Sequence, residues 1–202
     1  MDWKRVEHGS SHRGEGLRDT DYYAYDQPVF AVADATVVKA RDGLPDNPPG
    51  HNGNFHPAVR VTLANAGGNT IALALGDGEF AHYYHLQPGS VLVKVGQAVR
   101  RGEVIARIGA SGDAREPHLH FEVTTAIPLL VGEGLPYAID HFEITGGNVP
   151  TGVGDGIPAR GLQPADGGRY PTGPRTNQSP LDGMVIDFGN RRDNRQSAKG
   201  NR

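Results

Sequence analysis

Apolar and polar side chains alternate with a period of two through most of the first 145 residues, and no stretch sustains the 3.6-residue period of an amphipathic helix. Pro28–Val38, Val59–Leu63, Thr70–Leu75 and Phe80–His85 read as strands rich in β-branched and aromatic residues. Ser90–Val95, Ala98–Val99 and Gly102–Gly109 continue as short strands punctuated by glycines, which predicts tight antiparallel turns. His118–Val123 is the last strong strand of this region. The expected fold is all-β, an antiparallel sheet or sandwich with irregular loops. Lys39–Asn54, with Pro45, Pro48, Pro49 and Gly50, interrupts the pattern as a surface insertion of the kind that often walls a binding site.

Near Thr145 the character changes. Glycine and proline become denser and the charge turns from acidic to basic, so the chain divides into a domain at 1–145 and a Gly/Pro-rich tail at 146–202. Met184–Phe188 is an apolar run able to dock as a strand, whereas Arg191–Arg202 reads as disordered. With 29 glycines and 15 prolines in 202 residues, and aromatics at 7%, composition disfavours a helical bundle and suits short strands joined by turns. A net charge of −3 provides no global field for nucleic acid or a membrane surface. No apolar run approaches the roughly 18 residues a membrane span needs, and Met1-Asp2-Trp3-Lys4-Arg5 has no apolar signal region, so these features point to a soluble, unexported chain.

Cysteine is absent, which excludes a disulfide framework, a thiolate zinc site and a cysteine nucleophile. Any metal must then sit on His, Asp or Glu. Of the nine histidines, His118 and His120 flank Leu119 on a predicted strand, which puts both imidazoles on one face about 7 Å apart at the backbone, with Leu119 toward the core. The same spacing also suits a structural pair satisfied by backbone carbonyls. Alternation puts His85 on the face of Ala81 and Tyr83, opposite His82 and Tyr84, so only one of His82 and His85 is expected to serve a site. Asp2, Asp19, Asp21 and Asp26 are candidate acidic ligands, each equally readable as a solvated or turn carboxylate.

Four segments follow one another in a recognisable order: Tyr84-His85-Leu86-Gln87-Pro88-Gly89-Ser90, then Val93 to Gly102, then Gly109-Ala110-Ser111-Gly112, then Pro117-His118-Leu119-His120-Phe121-Glu122-Val123. In them the chain resembles the zinc metallopeptidases of the lysostaphin/LytM type, over roughly Asp2 to Thr145. The resemblance implies a duplicated-hybrid-motif β fold, a Zn2+ cofactor, and hydrolysis of peptide cross-links in bacterial peptidoglycan by a secreted or cell-envelope protein. It makes His120 a zinc ligand and sets His85 and His118 in the catalytic positions beside the zinc-bound water and the scissile carbonyl. Asp2-Trp3 resembles the Asp-Trp that ends the family's upstream His-and-Asp motif, so Asp2 becomes a second ligand.

Here the sequence departs from the pattern, because the partner histidine would precede Met1. Three readings stand open. The start is assigned late or the chain is a fragment; or His12 restores the site with Asp19, Asp21 or Asp26; or the site is degenerate and the domain binds cell wall or regulates a hydrolase without cutting. Ala35, where the family often has a turn glycine, favours the third. Glycine-rich hairpins also occur in lipoyl and biotinyl carriers, but the Gly109–Pro117 loop lacks the lysine a carrier modifies.

Overall fold

The computed structural model describes residues 1–50, 54–148, 162–163 and 170–189. The Arg191–Arg202 tail lies outside the described residues. In chain order the strands are β1 (Asp2–Trp3), β2 (Pro28–Phe30), β3 (Ala35–Arg41), β4 (Asn69–Gly76), β5 (Glu79–Leu86), β6 (Ala98–Val99), β7 (Val104–Arg107), β8 (Leu119–Thr124), β9 (Gly134–Leu135), β10 (Ile139–Asn148), β11 (Leu162–Gln163), β12 (Gly173–Gln178) and β13 (Met184–Asp187). Apart from a 3-10 turn at Asp19–Asp21, no helix occurs among the described residues, in agreement with the all-β expectation.

The chain forms two compact units, Met1–Leu135 and Pro136–Arg202, and β10 runs through Thr145. In the first unit an antiparallel sheet has the order β1-β8-β5-β4-β3-β6, with β9 added to β8, while β2 and β7 pair separately. The β4–β5 hairpin closes through Gly76, Asp77 and Gly78, all at positive φ, the backbone that matches a tight turn to strand twist. One face of the sheet is apolar. Ile71, Leu73, Ala81 and Val37 are fully buried on it, with Tyr83, Phe121 and Val123 beside them. Tyr83 and Phe121 meet edge-on at 5.2 Å, and the Tyr83 hydroxyl accepts a hydrogen bond from the Val32 amide at 2.9 Å, which ties the chain just after β2 to the sheet.

Three predicted strands differ from the structure. The Pro28–Val38 run breaks after Phe30, and its second half joins the large sheet as β3. Val59–Leu63 is not a strand: Asn65 Oδ1 accepts from the Thr62 amide at 2.6 Å and Asn65 Nδ2 donates to Arg60 O at 3.0 Å, so the side chain captures the backbone groups a ladder would need. Leu63 is 79% exposed in consequence. Ser90–Val95 is not a strand: the Leu92 amide donates to Ile105 O at 2.9 Å, but the Ser90 amide turns back to Gln87 O, the Val91 amide goes to the Asp42 carboxylate, and Lys94 O accepts from the Gln97 amide in a turn.

The second unit is built on β10, which pairs with β12 through Ile139–Ile144 and with β13 through Glu143–Gly147. The apolar run expected to dock as a strand does so as β13. Phe142, Ile144 and Tyr170 form its small core, packed by Ile139, Met184 and Ile186.

Candidate functional site

The sheet's other face carries the polar alternates of the same strands. β1 lies antiparallel beside β8 with Asp2 opposite His120, the direct cross-strand position at which side chains touch. Asp2 Oδ1 is 2.8 Å from His120 Nδ1 and 3.7 Å from His118 Nε2. The His120 hydrogen bond, reinforced by the charges of His118 and His120, outweighs the burial of Asp2 and holds its carboxyl far below the ordinary carboxylate range. On the opposite side of the His120 ring, Nε2 faces Glu122 Oε2 at 3.5 Å. The structure thus brings Asp2, His118 and His120 together.

His85 joins them by a route alternation does not predict. Its φ is +60°, the left-handed region that a branched or bulky residue seldom enters. The backbone there is held on both sides, since the His85 amide donates to Gly67 O and its carbonyl accepts from the Gly109 amide, each at 3.0 Å. The reversal swings the ring off the core face. It lies 4.8 Å from the His118 ring and 6.0 Å from that of His120. A strained residue fixed this firmly and placed among titratable groups is a mark of a working site.

Hydrogen bonding settles which nitrogens face the groove. His85 Nδ1 donates to Ser111 O and His118 Nδ1 to Glu116 O, both at 2.8 Å, and a carbonyl can only accept. Each ring is therefore the Nδ1–H tautomer, with an Nε2 lone pair turned away from these anchors. Burial, and then the charge of His118, pushes His85 down to about 3; burial likewise lowers His118. At neutral pH both imidazoles are uncharged and can accept a proton.

Beneath them is a scaffold whose asparagines sequence reading did not single out. Ser111 is completely buried; its Oγ donates to Leu86 O at 2.7 Å and accepts from the Asn69 amide at 2.9 Å. Asn69 bridges Leu44 and Leu86, and Asn47 Nδ2 donates to Gly112 O and Ala114 O at 2.8 and 3.0 Å. The chain after β3 is thereby pinned, at Leu44 and Asn47, to the loop that orients His85; of the predicted Lys39–Asn54 insertion, Lys39–Arg41 belong to β3. Gly68 sits at φ +65°, where a Cβ would fall 2.5 Å from Ser111 O, so no other residue fits there. Buried asparagines beside strand ends were the one available signal.

The remaining candidates lie elsewhere. His82 is fully buried, stacks on Tyr84 with centroids 5.6 Å apart, and reaches Thr124 Oγ1 at 3.0 Å. His12 packs against Tyr22 at 5.2 Å between ring centroids, with Gly16 close over its ring. Asp21 bonds to Arg18 and Asp26 to Arg107, while Asp19 is lifted to about 7 by burial and by the nearby Asp46. Among the described residues none of these three acids pairs with His12. As for zinc, Asp2 and His120 offer an oxygen and a nitrogen of the type it takes, side by side. Among the described residues no group of three His, Asp or Glu able to hold a metal ion occurs, so the donors fit in kind and fall short in number.

The sequence profile of peptidase family M23 matches residues 18–129. Peptidoglycan DD-endopeptidase ShyB of Vibrio cholerae is 45% identical over 96 residues, which are 48% of this chain and 17% of that protein. ShyA of the same organism is 31% identical over 96 residues, with the same coverage, and the cell division protein DipM of Caulobacter vibrioides is 41% identical over 59 residues, 29% of this chain and 9% of that one. The chain spans less than a fifth of the length of these curated relatives. Among solved structures, the catalytic domain of lysostaphin from Staphylococcus simulans aligns with a TM-score of 0.40 at 22% identity, over 65% of this chain and 88% of that one.

Proposed function

The chain belongs to peptidase family M23, and from that premise we propose that it is a zinc endopeptidase that hydrolyses peptide cross-links of bacterial peptidoglycan in the cell envelope. The observation that carries the reading is the cluster in which His118 and His120 meet Asp2 and the His85 ring lies against theirs. Asp2 and His120 Nδ1 would hold the metal. When bound, zinc supplies a Lewis acid and lowers the pKa of a coordinated water to about 7. His85 and His118 do the proton work: their neutral Nε2 atoms accept a proton from an attacking water and, once protonated, stabilise the developing oxyanion and pass the proton to the leaving amine. Their Nδ1 anchors on Ser111 O and Glu116 O fix ring orientation throughout, so little reorganisation accompanies the reaction.

A second reading, a non-catalytic wall-binding domain, is favoured by the donor count among the described residues, since Asp2 and His120 by themselves hold zinc weakly. Purified cell wall incubated with the protein at saturating zinc separates the two. Release of new amino groups is the expected result. His118→Ala should keep the metal affinity and lose about 10²–10⁴ in turnover, and His120→Ala should lose both. Co-sedimentation with the wall and no amino-group release would establish the binding module instead.

A further inference from the structure

The polar face of the sheet continues past the histidines to its far edge. Arg41 lies opposite Thr70, and Tyr84 opposite His120; in the next row Lys39, Ala72, His82 and Glu122 are paired in turn. Beyond Tyr84 is a pocket of about 330 Å³, bounded by Lys39 and Arg41 on β3, by Gly67, and by the apolar Leu63 and Leu129. Both cations are half-buried. Among the described residues neither forms an ion pair; Arg41 Nη1 donates to Ala64 O, and burial together with the Arg41 charge lowers the Lys39 ammonium below its ordinary range. Two cations side by side in a half-desolvated wall, with no acid to neutralise them, repel each other and await an anion.

Their orientation is built in. Strict alternation from the buried Val37 would drive Lys39 and Arg41 into the core. Instead the register passes from Val37 opposite Leu73 directly to Lys39 opposite Ala72, leaving Val38 as the extra residue of a β-bulge. The bulge turns both cations onto the histidine face. From His120 on β8 to Arg41 on β3 is three strand spacings, on the order of 14 Å, which an extended tetrapeptide of about 13 Å covers.

We propose that the Lys39–Arg41 pocket is a carboxylate subsite, so that the substrate is an acidic peptide presenting a free carboxylate some four residues from the bond held at the histidines. This rests on the peptidase reading for the word substrate, and selects wall peptides with a free carboxylate over neutral bridges. The probe is N-acetyl tetraalanine, with a free C-terminal carboxylate or as its carboxamide, titrated into the full chain without added metal and followed by backbone amide NMR. The carboxylate form should bind about tenfold more tightly, as one charge-assisted contact gives, and shift the amides of Gly67, Thr70 and Tyr84. K39Q combined with R41Q should bind both forms equally, and K39R combined with R41K should recover the preference while the rest of the spectrum stays in place. A carboxylate preference undiminished in the K39Q/R41Q protein overturns the proposal, as does no preference, or no binding at millimolar peptide, in the unmodified chain. Wall hydrolysis, measured separately, keeps the two readings apart: hydrolysis without the preference sinks the subsite alone, and the preference without hydrolysis sinks the peptidase alone.

Discussion

On β5, Ala81 and Tyr83 face one way and His82 and Tyr84 the other, and the same division runs through β4 and β8. The Ala81 side is closed, apolar and sealed against β2 and its neighbours; the Tyr84 side carries every ionisable group of the site and the pocket beyond it. The two faces share strands, ladders and twist, so backbone geometry cannot account for their difference. It lies in what each must exclude. The inner face excludes water from everything, whereas the outer face excludes water from His85 and His118 and leaves Asp2, His120 and the two cations half in solvent. Stability belongs to the first and chemistry to the second.

The comparison is broken most easily from the inner side. Leu73→Ala, at a fully buried position, should cost about 2–5 kcal/mol in denaturant unfolding while leaving the tetraalanine affinity of the folded fraction unchanged. If affinity falls in step with stability, the faces are coupled and the division is wrong. Next in size is Asn69→Ala, which leaves the Leu44 amide and carbonyl without their side-chain partner and the Leu86 carbonyl with Ser111 Oγ alone. A loss of about 1–3 kcal/mol is expected, together with a changed imidazole nitrogen shift at His85, because Asn69 Nδ2 and Ser111 Oγ share the Leu86 carbonyl and Ser111 O anchors the ring.

The smallest effect comes from pH. His85 sits near 3 folded against 6.5 ordinarily, so between those values the unfolded chain binds more protons and stability falls as pH is lowered through the window. Asp19 works oppositely: at about 7 folded against 3.8, it binds more protons when folded, and its contribution is lost as pH rises through 7. Asp19→Asn should therefore raise the melting temperature at pH 8 by a few degrees, on the order of 1 kcal/mol after allowance for its partial exposure, with little change at pH 4. An equal gain at both values would show that the Asp19 charge is not the cause.

Period-two patterning made β4, β5 and β8 legible, because a strand buried on one side writes its burial directly into alternate letters. That His118 and His120 share a face was legible for the same reason, whereas Asp2 opposite His120 came only from the resemblance of Asp2-Trp3 to the family motif. His85 was not: a single left-handed residue moves its ring across the sheet, and the carbonyls that hold it, Gly67 and Ser111, come from distant loops. Val59–Leu63 misled because β-branched letters predict a strand only where a neighbouring edge is available, and Asn65 claimed that backbone first. The cations of β3 were overlooked because alternation counted from Val37 puts them on the wrong side.

That extra residue in β3 has an implication for how the chain tolerates changes of length. Ordinarily, removing one amino acid from a paired strand inverts the side on which all later side chains emerge, and the protein is lost. Val38 is the exception: take it out and Lys39 still follows Val37 onto the face it already occupies, with only the local kink erased. A shortened β3 is thus an edit that variation between related sequences can accommodate, and alignments through this segment should place their gap there.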